Sequence, residues 1–584
     1  MKRDDLVIRV AGEAGEGVLS TGQLITQAAA RAGFGVLTDS VPPAEIKGGH
    51  SFFQIRLSGH RLHSRGDQLD ILLAFNQEAY DKNVKELREN GLLIYDSAEL
   101  TPPGSDGFRQ YPLPLTEIAK KQLQFELGKN VVAVGAVAAL FGLPMEYLTK
   151  LIEERFGRKG PDVLDKNMRA LEAGRRYVEE NIPDRDELRL VVERPTENNI
   201  VVSGNQALAL GALVAGCRRY AGYPITPATD IMEFLAGELP KVGGSVVQAE
   251  DEIAAIGMVL GSSYAGAKAM TATSGPGLSL MTEMLGLAAM AELPAVVVDC
   301  QRAGPSTGMP TRHEQADLNL ALHGGHGELQ RIVLAPVSTT DCFWQIINAF
   351  NLAEEFQMPV LVLSDTVLAV RTESIPRPNL ADVKLVSRAT FRGDGNGRGF
   401  PAAEGRYLRY EYTESGVSPM AIPGTDGGQY VATGLEHNEA GRPRYDSATH
   451  AEMTRKRFRK MERAAQHAPP PHEHGDPSAE IGVITWGSTW GAVVEAVDRL
   501  AERGTRAHAL APRQLWPLPD RQIEPFLAGK RVVLVPEVNY TGQFADLLSA
   551  HYCRELRRIN TFGGQPFRVA DLAEAIEGVH QHAR

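Results

Sequence analysis

The sequence predicts an α/β protein built as three successive α/β domains, and three observations predict it. A strand, a glycine turn and a helical stretch open the chain in "LVIRVAGEAGEG". Two stretches crowded with charge, proline and glycine, at 179–199 and 376–475, interrupt the strand–helix rhythm, which resumes after each. The 584 residues also exceed what one core holds, since domains run to roughly 100–200 residues each.

Residues 1–185 form the first region, with "FGVLTDS", "SFFQIRLSG", "LDILLAF" and "NGLLIYDS" as its further strands. Residues 186–199 are a linker. In 200–375 helices alternate with "SVVQAE", "KAMTAT", "PAVVVDC" and "MPVLVLSD", apolar runs that suit a parallel sheet covered on both faces. Residues 376–477 are too many for a plain loop. They predict an ordered excursion ending in the helix "THAEMTRKRFRKMERAA" and a flexible tether. Residues 478–584 regain the rhythm with "IGVITWGS", "RAHALAP" and "RVVLVPEVN".

Hydrophobic residues at 43% and charged residues at 23% match ordinary globular proteins and exclude a disordered class. A net charge of -11 argues against a nucleic-acid partner. The one basic run, "TRKRFRK" at 454–460, reads as a solvated helical face. No uninterrupted apolar stretch approaches the roughly 18–20 residues of a membrane span. The start "MKRDDLVIRVAG" runs into a strand rather than a signal peptide, so a cytoplasmic location is expected. Cys217, Cys300, Cys342 and Cys553 lie far apart without a C-x-x-C, so this chain is not expected to build a zinc or iron–sulfur site. All four are expected to be small buried residues.

Gly12, Gly15 and Gly17 form a turn between strand and helix, where backbone N–H groups can hold a phosphate. The spacing departs from the dinucleotide G-x-G-x-x-G, although Asp39 lies at the distance of a ribose-binding acid. A tight turn with no ligand, a phosphate site and a nicotinamide site all stay open. In "GYPITPATD" at 222–230, Pro224 and Pro227 each fix their own φ and restrict the residue before, so Thr226 is held stiffly. Glu252 heads a small-residue helix that is followed by a strand and the loop "TSGPG" at 273–277; Glu250 fits that pattern less well.

This succession resembles the pyrimidine-binding domain of thiamine diphosphate enzymes. The resemblance implies that Glu252 hydrogen-bonds N1′ of the aminopyrimidine and favours the imino tautomer, whose nitrogen takes the C2 proton. Such enzymes hold diphosphate and magnesium with G-D-G and a later N-N pair. The "GDG" at 393–395 has neither a preceding strand nor the asparagines, so the diphosphate half is expected on another polypeptide.

With "SGNQALALGAL" and "CQRAGPSTGMPTRHEQADL", these segments resemble the α subunit of 2-oxoacid:ferredoxin oxidoreductases with a γ domain fused ahead of it. The resemblance spans almost the whole chain: a γ-type domain at 1–185, the pyrimidine-binding domain at 200–375 and a transketolase carboxy-terminal-like domain at 478–584. It places Thr226 beside thiamine C2 and the substrate, with Tyr223 and Pro224 along the coenzyme. It makes Arg302 the fork that grips the substrate carboxylate. Arg312 is then a receptor for a distal carboxylate, as on 2-oxoglutarate, or else a surface ion-pair residue. Neighbouring His313, Glu314 and Gln315 are not expected to converge on a metal. "LWPLP" at 515–519 and "PEVNYTGQF" at 536–544 imply packing and subunit contact without catalysis.

The implied activity is reversible, thiamine-dependent oxidative decarboxylation of a 2-oxoacid to its acyl-coenzyme A, with ferredoxin reduced. 2-Oxoglutarate is the first substrate reading, an aryl or branched-chain 2-oxoacid the second, and a non-catalytic assembly subunit the third. The implied partner is a β subunit bearing the diphosphate site, Mg2+ and a [4Fe-4S] cluster, in an (αβ)2 assembly. Coenzyme A is expected to pass by the γ-type domain.

Overall fold

The computed structural model describes residues 2–3, 5–41, 49–104, 107–182, 189–190, 198–392 and 407–582. The "GDG" at 393–395 and most of the linker lie outside them. Two units result: residues 1–202 with 370–378, and residues 203–369 with 379–584.

In the first unit the apolar strand Asp5–Glu13 sits inside an eight-stranded sheet, antiparallel to His50–Ser58 and parallel to Leu69–Ala74. All the strands read from the sequence there are present. One more joins them from far along the chain. Thr372–Pro376, read from sequence as the end of the second region, runs antiparallel to Gly35–Val41, and its Thr372 N–H donates to Thr38 Oγ1 at 2.9 Å. The returning strand pairs backbone groups that an edge strand would otherwise leave open. Helix Lys129–Phe141 crosses Pro161–Asn181 at Gly135 and Gly174. A Cβ at these positions would fall 2.0 and 1.9 Å from the carbonyl oxygens of Leu171 and Val132, so only glycine permits the approach.

The second unit holds a seven-stranded and a five-stranded sheet. Ser245–Gln248, Arg219–Gly222, Ala269–Thr273, Ala295–Gln301, Pro359–Asp365 and Ile332–Leu334 are parallel neighbours in that order. Gln514–Trp516, from "LWPLP", completes the sheet as an antiparallel edge. The five-stranded sheet carries the three strands expected after residue 478. Its Leu510 and Val535, with Trp486 just past a strand end, share one core with Val297 and Leu361 of the larger sheet and Ile256 of helix Glu252–Tyr264.

Three expectations are corrected. The helix Ser447–Gln466 forms, but its basic run is not a solvated face: Lys456, Arg457 and Lys460 are buried. The Nζ atoms of Lys456 and Lys460 lie 2.6 and 2.5 Å from the carboxylate of Glu292, which is itself fully buried. Burial opposes that charge, yet Lys456, Lys460 and Arg409 together hold the Glu292 carboxyl well below the usual range. The partner is 164 positions away, which is why the run looks solvated in sequence. Beyond the helix the chain is no free tether, because His472–Gly475 pairs antiparallel with His508–Ala511. Finally, Cys217, Cys300 and Cys342 are buried but Cys553 is exposed. It caps helix Gln543–Tyr552 in the left-handed region, at φ 49°, which leaves its thiol at the surface. Among the described residues no helix is long and apolar enough to cross a membrane.

Candidate functional site

Three loops leave adjacent strand ends on the carboxyl edge of the seven-stranded sheet. The register sets Thr273 beside Asp299 and Gln301 beside Asp365, so "GYPITP", "TSGPG" and the segment from Arg302 to Asp317 emerge side by side. Open parallel sheets present ligands at such an edge.

The Thr226 loop is pinned from beneath. Buried Asn205 donates its Nδ2 to the Pro227 carbonyl at 2.8 Å, and Arg302 Nη1 donates to the Thr226 carbonyl at 2.8 Å. The Ile225 carbonyl accepts the N–H of Ala228 at 2.8 Å, closing a turn, and the Thr226–Pro227 peptide is cis. Thr226 and Tyr223 face solvent above this base, and Pro224 is half-buried. The stiffness inferred from two prolines thus has two further causes, the side-chain amide of Asn205 and the guanidinium of Arg302.

Glu252 opens helix Glu252–Tyr264, whose preceding Asp251 accepts the Ala254 N–H at 2.7 Å and caps it. Glu252 is 6% exposed whereas Glu250 is exposed, which separates the two candidates. Its carboxylate lies against Gly277: a Cβ there would fall 2.6 Å from Oε1 and 2.0 Å from Thr273 Oγ1. At Gly275 a Cβ would meet Asp317 Oδ2 at 2.6 Å. The glycines of "TSGPG" are therefore required by two carboxylates that wedge the loop from either side.

Arg302 is 8% exposed, and its Nε is buried without a hydrogen-bond partner. Burial lowers its pKa, while Asp317 and Asp299 counteract. The price of this setting falls on the acids. Burial, then Asp317, raises the Asp299 carboxyl well above the ordinary range; burial, then Glu314, pushes Asp317 up to about 6, with Arg302 opposing both. Arg312 is half-buried. Its backbone is tied by Ala303 N–H to its carbonyl at 3.0 Å and by Thr366 Oγ1 at 3.2 Å. Its side-chain stem packs where a Cβ on Gly564 would approach to 3.1 Å. The next three residues do not converge on one point: His313 Nδ1 lies 3.6 Å from Asp365 Oδ1, Glu314 faces the Gly304 backbone, and Gln315 reaches Trp486 and Thr489 as well as Asp365 Oδ2. "PEVNYTGQF" holds the same segment, since Asn539 and Gln543 donate to the carbonyls of Gln315 and Ala316.

Sequence reasoning missed Asn205, Gln315, Asp317 and Asn539. All four lie inside the segments given above, and only Asn205, an amide in the largely apolar "SGNQALALGAL", offers a signal. Gln315, Asp317 and Asn539 offer none without the fold.

In the first unit Gly15 and Gly17 have φ of 103° and 85°, as a turn before helix Val18–Arg31 demands. The chain's own Glu16 fills it: Oε2 accepts the Glu13 N–H and Asn76 Nδ2, both at 2.7 Å, and Oε1 lies 3.3 Å from Lys129. It also crowds Gly12, where a Cβ would sit 2.8 Å from Glu16 Oε2. Asp39 is paired with Arg65 at 2.7 Å.

The fold and this arrangement are those of a thiamine diphosphate-binding enzyme subunit. The family described as pyruvate flavodoxin/ferredoxin oxidoreductase, thiamine diphosphate-binding, matches residues 210–456. Pyruvate ferredoxin/flavodoxin oxidoreductase matches 7–177, and pyruvate:ferredoxin oxidoreductase core domain II matches 479–572. The α subunit of 2-oxoacid:ferredoxin oxidoreductase 2 of Aeropyrum pernix is 32% identical over 98% of each chain. The 2-oxoglutarate oxidoreductase subunit KorA of Mycobacterium tuberculosis is 35% identical over 98% of this chain and 91% of its own. The solved 2-oxoglutarate:ferredoxin oxidoreductase from Magnetococcus marinus, with 2-oxoglutarate, coenzyme A and succinyl-CoA bound, superposes with a TM-score of 0.93 at 43% identity over 99% of both chains. The chain belongs to the 2-oxoacid:ferredoxin oxidoreductases, as an α subunit of these thiamine-dependent enzymes.

Proposed function

We propose that this chain serves a 2-oxoglutarate:ferredoxin oxidoreductase, with Glu252 as the coenzyme-activating acid and Arg302 and Arg312 as receptors for the two substrate carboxylates. One observation carries the reading: the buried Glu252 carboxylate lies against Gly277 on the same sheet edge as the Thr226–Arg302 pair. The Glu252 side chain is largely buried and accepts no hydrogen bond from another described residue, so its carboxylate is free to receive one. An aminopyrimidine N1′ supplies the missing partner, so the site fits the coenzyme. When bound, thiamine diphosphate provides the carbon nucleophile and electron sink for decarboxylation.

Glu252 offers its carboxylate to N1′, whose protonation it favours. Thr226, fixed from below, presents its hydroxyl to the 2-oxoacid without conformational search. Tyr223 and Pro224 line the coenzyme face. Arg302 is anchored by one nitrogen and keeps the rest of its fork for a carboxylate. Arg312 takes the distal carboxylate. The names of the Mycobacterium tuberculosis and Magnetococcus marinus relatives support 2-oxoglutarate as the substrate.

The matches at 7–177, 210–456 and 479–572 support a division into a γ-type domain at 1–185, a pyrimidine-binding domain at 200–375 and a carboxy-terminal domain at 478–584. A β subunit holds the diphosphate, Mg2+ and a [4Fe-4S] cluster, in a cytoplasmic (αβ)2 enzyme that passes electrons to ferredoxin. Coenzyme A is the acyl acceptor. Any of its phosphates at Gly12, Gly15 and Gly17 has to displace the Glu16 carboxylate.

The test is ferredoxin reduction by the reconstituted complex on 2-oxoglutarate, pyruvate and indolepyruvate. Glu252→Gln lowers kcat by about 10²–10⁴-fold, and Arg312→Met raises KM for 2-oxoglutarate more than for pyruvate. Wild-type turnover by Glu252→Gln overturns the assignment.

A further inference from the structure

We propose that Gln315 is a positioning residue for substrate recognition: it locks the arginine-bearing segment 302–317 onto the carboxy-terminal domain. The inference rests on the reading of Arg302 and Arg312 given above and adds what holds them.

Gln315 is fully buried, and every hydrogen-bonding valence of its amide is used. Its Nε2 donates to the Trp486 carbonyl at 3.1 Å and to Asp365 Oδ2 at 3.4 Å. Its Oε1 accepts Thr489 Oγ1 at 2.8 Å and the Val538 N–H at 3.3 Å. Its backbone is bound as well, N–H to the Val538 carbonyl at 2.7 Å and carbonyl to Asn539 Nδ2 at 2.9 Å. Four elements thus meet at one side chain: the end of strand Pro359–Asp365, the turn after Ile481–Ile484, the start of helix Thr489–Glu502 and the end of Val532–Glu537. Gly487, at φ 63°, is required beneath it, because a Cβ there would fall 2.3 Å from Gln315 Nε2.

The lock lies three residues from Arg312, and Arg312 is tied to Ala303, next to Arg302, through its carbonyl at 3.0 Å. The segment is otherwise a loop without its own sheet or long helix, so its geometry depends on such anchors. Among the side chains, only an amide donates to Trp486 and Asp365 while accepting from Thr489 and Val538. Glutamate would lose both donations and set a second carboxylate against Asp365. The carboxy-terminal domain thereby acts on substrate binding without touching substrate.

The experiment uses the intact complex, with Gln315→Ala and the milder Thr489→Val, which removes one of the four bonds. Gln315→Ala is expected to raise KM for 2-oxoglutarate roughly tenfold or more, pyruvate less, with a smaller change in kcat. Thr489→Val shifts KM in the same direction by a smaller factor while the melting temperature stays near wild type. A lowered melting temperature with KM unchanged for both substrates in both variants overturns the inference, as does an equal fall in kcat at constant KM. If the wild-type complex prefers another 2-oxoacid, the Arg312 reading fails by itself. The variants are then scored on KM for that substrate, which Arg302 still binds.

Discussion

Replacing Gly277 by alanine tests the contact between the "TSGPG" loop and the Glu252 carboxylate. The new Cβ would lie 2.0 Å from Thr273 Oγ1, 2.6 Å from Glu252 Oε1 and 2.7 Å from Glu252 Cγ, against an ordinary contact of 3.4–4 Å. Thr273 is fully buried in a strand, so the clash with it displaces the start of helix Gly275–Met290, and Glu252 is pushed from its place by something approaching 1 Å, roughly its own deficit. Overpacking of this kind costs about 1–3 kcal/mol of stability. A catalytic group misplaced by about 1 Å costs on the order of 10²-fold in rate. Two assays separate these: ferredoxin reduction for kcat, and exchange of the thiamine C2 proton for deuterium, which reads activation alone. Both rates are expected to fall by about 10–100-fold, with coenzyme still bound. Gly286→Ala, in the same helix with open space around it, is the control and gains about 0.5–1 kcal/mol of stability with kcat intact. Wild-type C2 exchange in Gly277→Ala would refute the argument that this contact holds Glu252 in its working position.

Other outcomes follow from buried charge. Glu292→Gln leaves Lys456 and Lys460 without their shared carboxylate and is expected to cost about 3–5 kcal/mol, read as a large drop in melting temperature. The folded-state pKa of Asp317 is raised to about 6 from 3.8, so the folded chain binds more protons than the unfolded one between those values. Its contribution to stability therefore falls as pH rises through that window and stays unfavourable above it. Asp317→Asn should raise the melting temperature at pH 8 and leave it unchanged near pH 3; a gain at both would show that charge is not the cause. Cys553 should react with a thiol reagent in the native isolated chain while Cys217, whose thiol burial pushes up to about 12, stays protected until unfolding, as intact-mass labelling would show.

Most strands were legible because their apolar runs are long and bounded by glycine or proline, as in "PAVVVDC" and "NGLLIYDS". Glu252 and Thr226 were legible because local spacing carries them: a carboxylate at a helix head, a threonine between two prolines. What escaped depends on distance in the chain. Lys456 and Lys460 look solvated until Glu292 is brought beside them, and Gln315 looks like loop filler until four elements close on it. The fate of Thr372–Pro376 was hidden for the same reason, since its pairing partner, Gly35–Val41, lies over three hundred residues earlier.

That returning strand has a consequence for dissecting the protein. The amino-terminal unit is discontinuous, completed by residues 370–378, so no single backbone cut releases it whole. A truncation after residue 202 would strip its sheet of Thr372–Pro376 and leave Gly35–Val41 with a bare flank, an invitation to aggregate. Protease nicking between the units should instead yield fragments that stay together on a native gel and part only in denaturant.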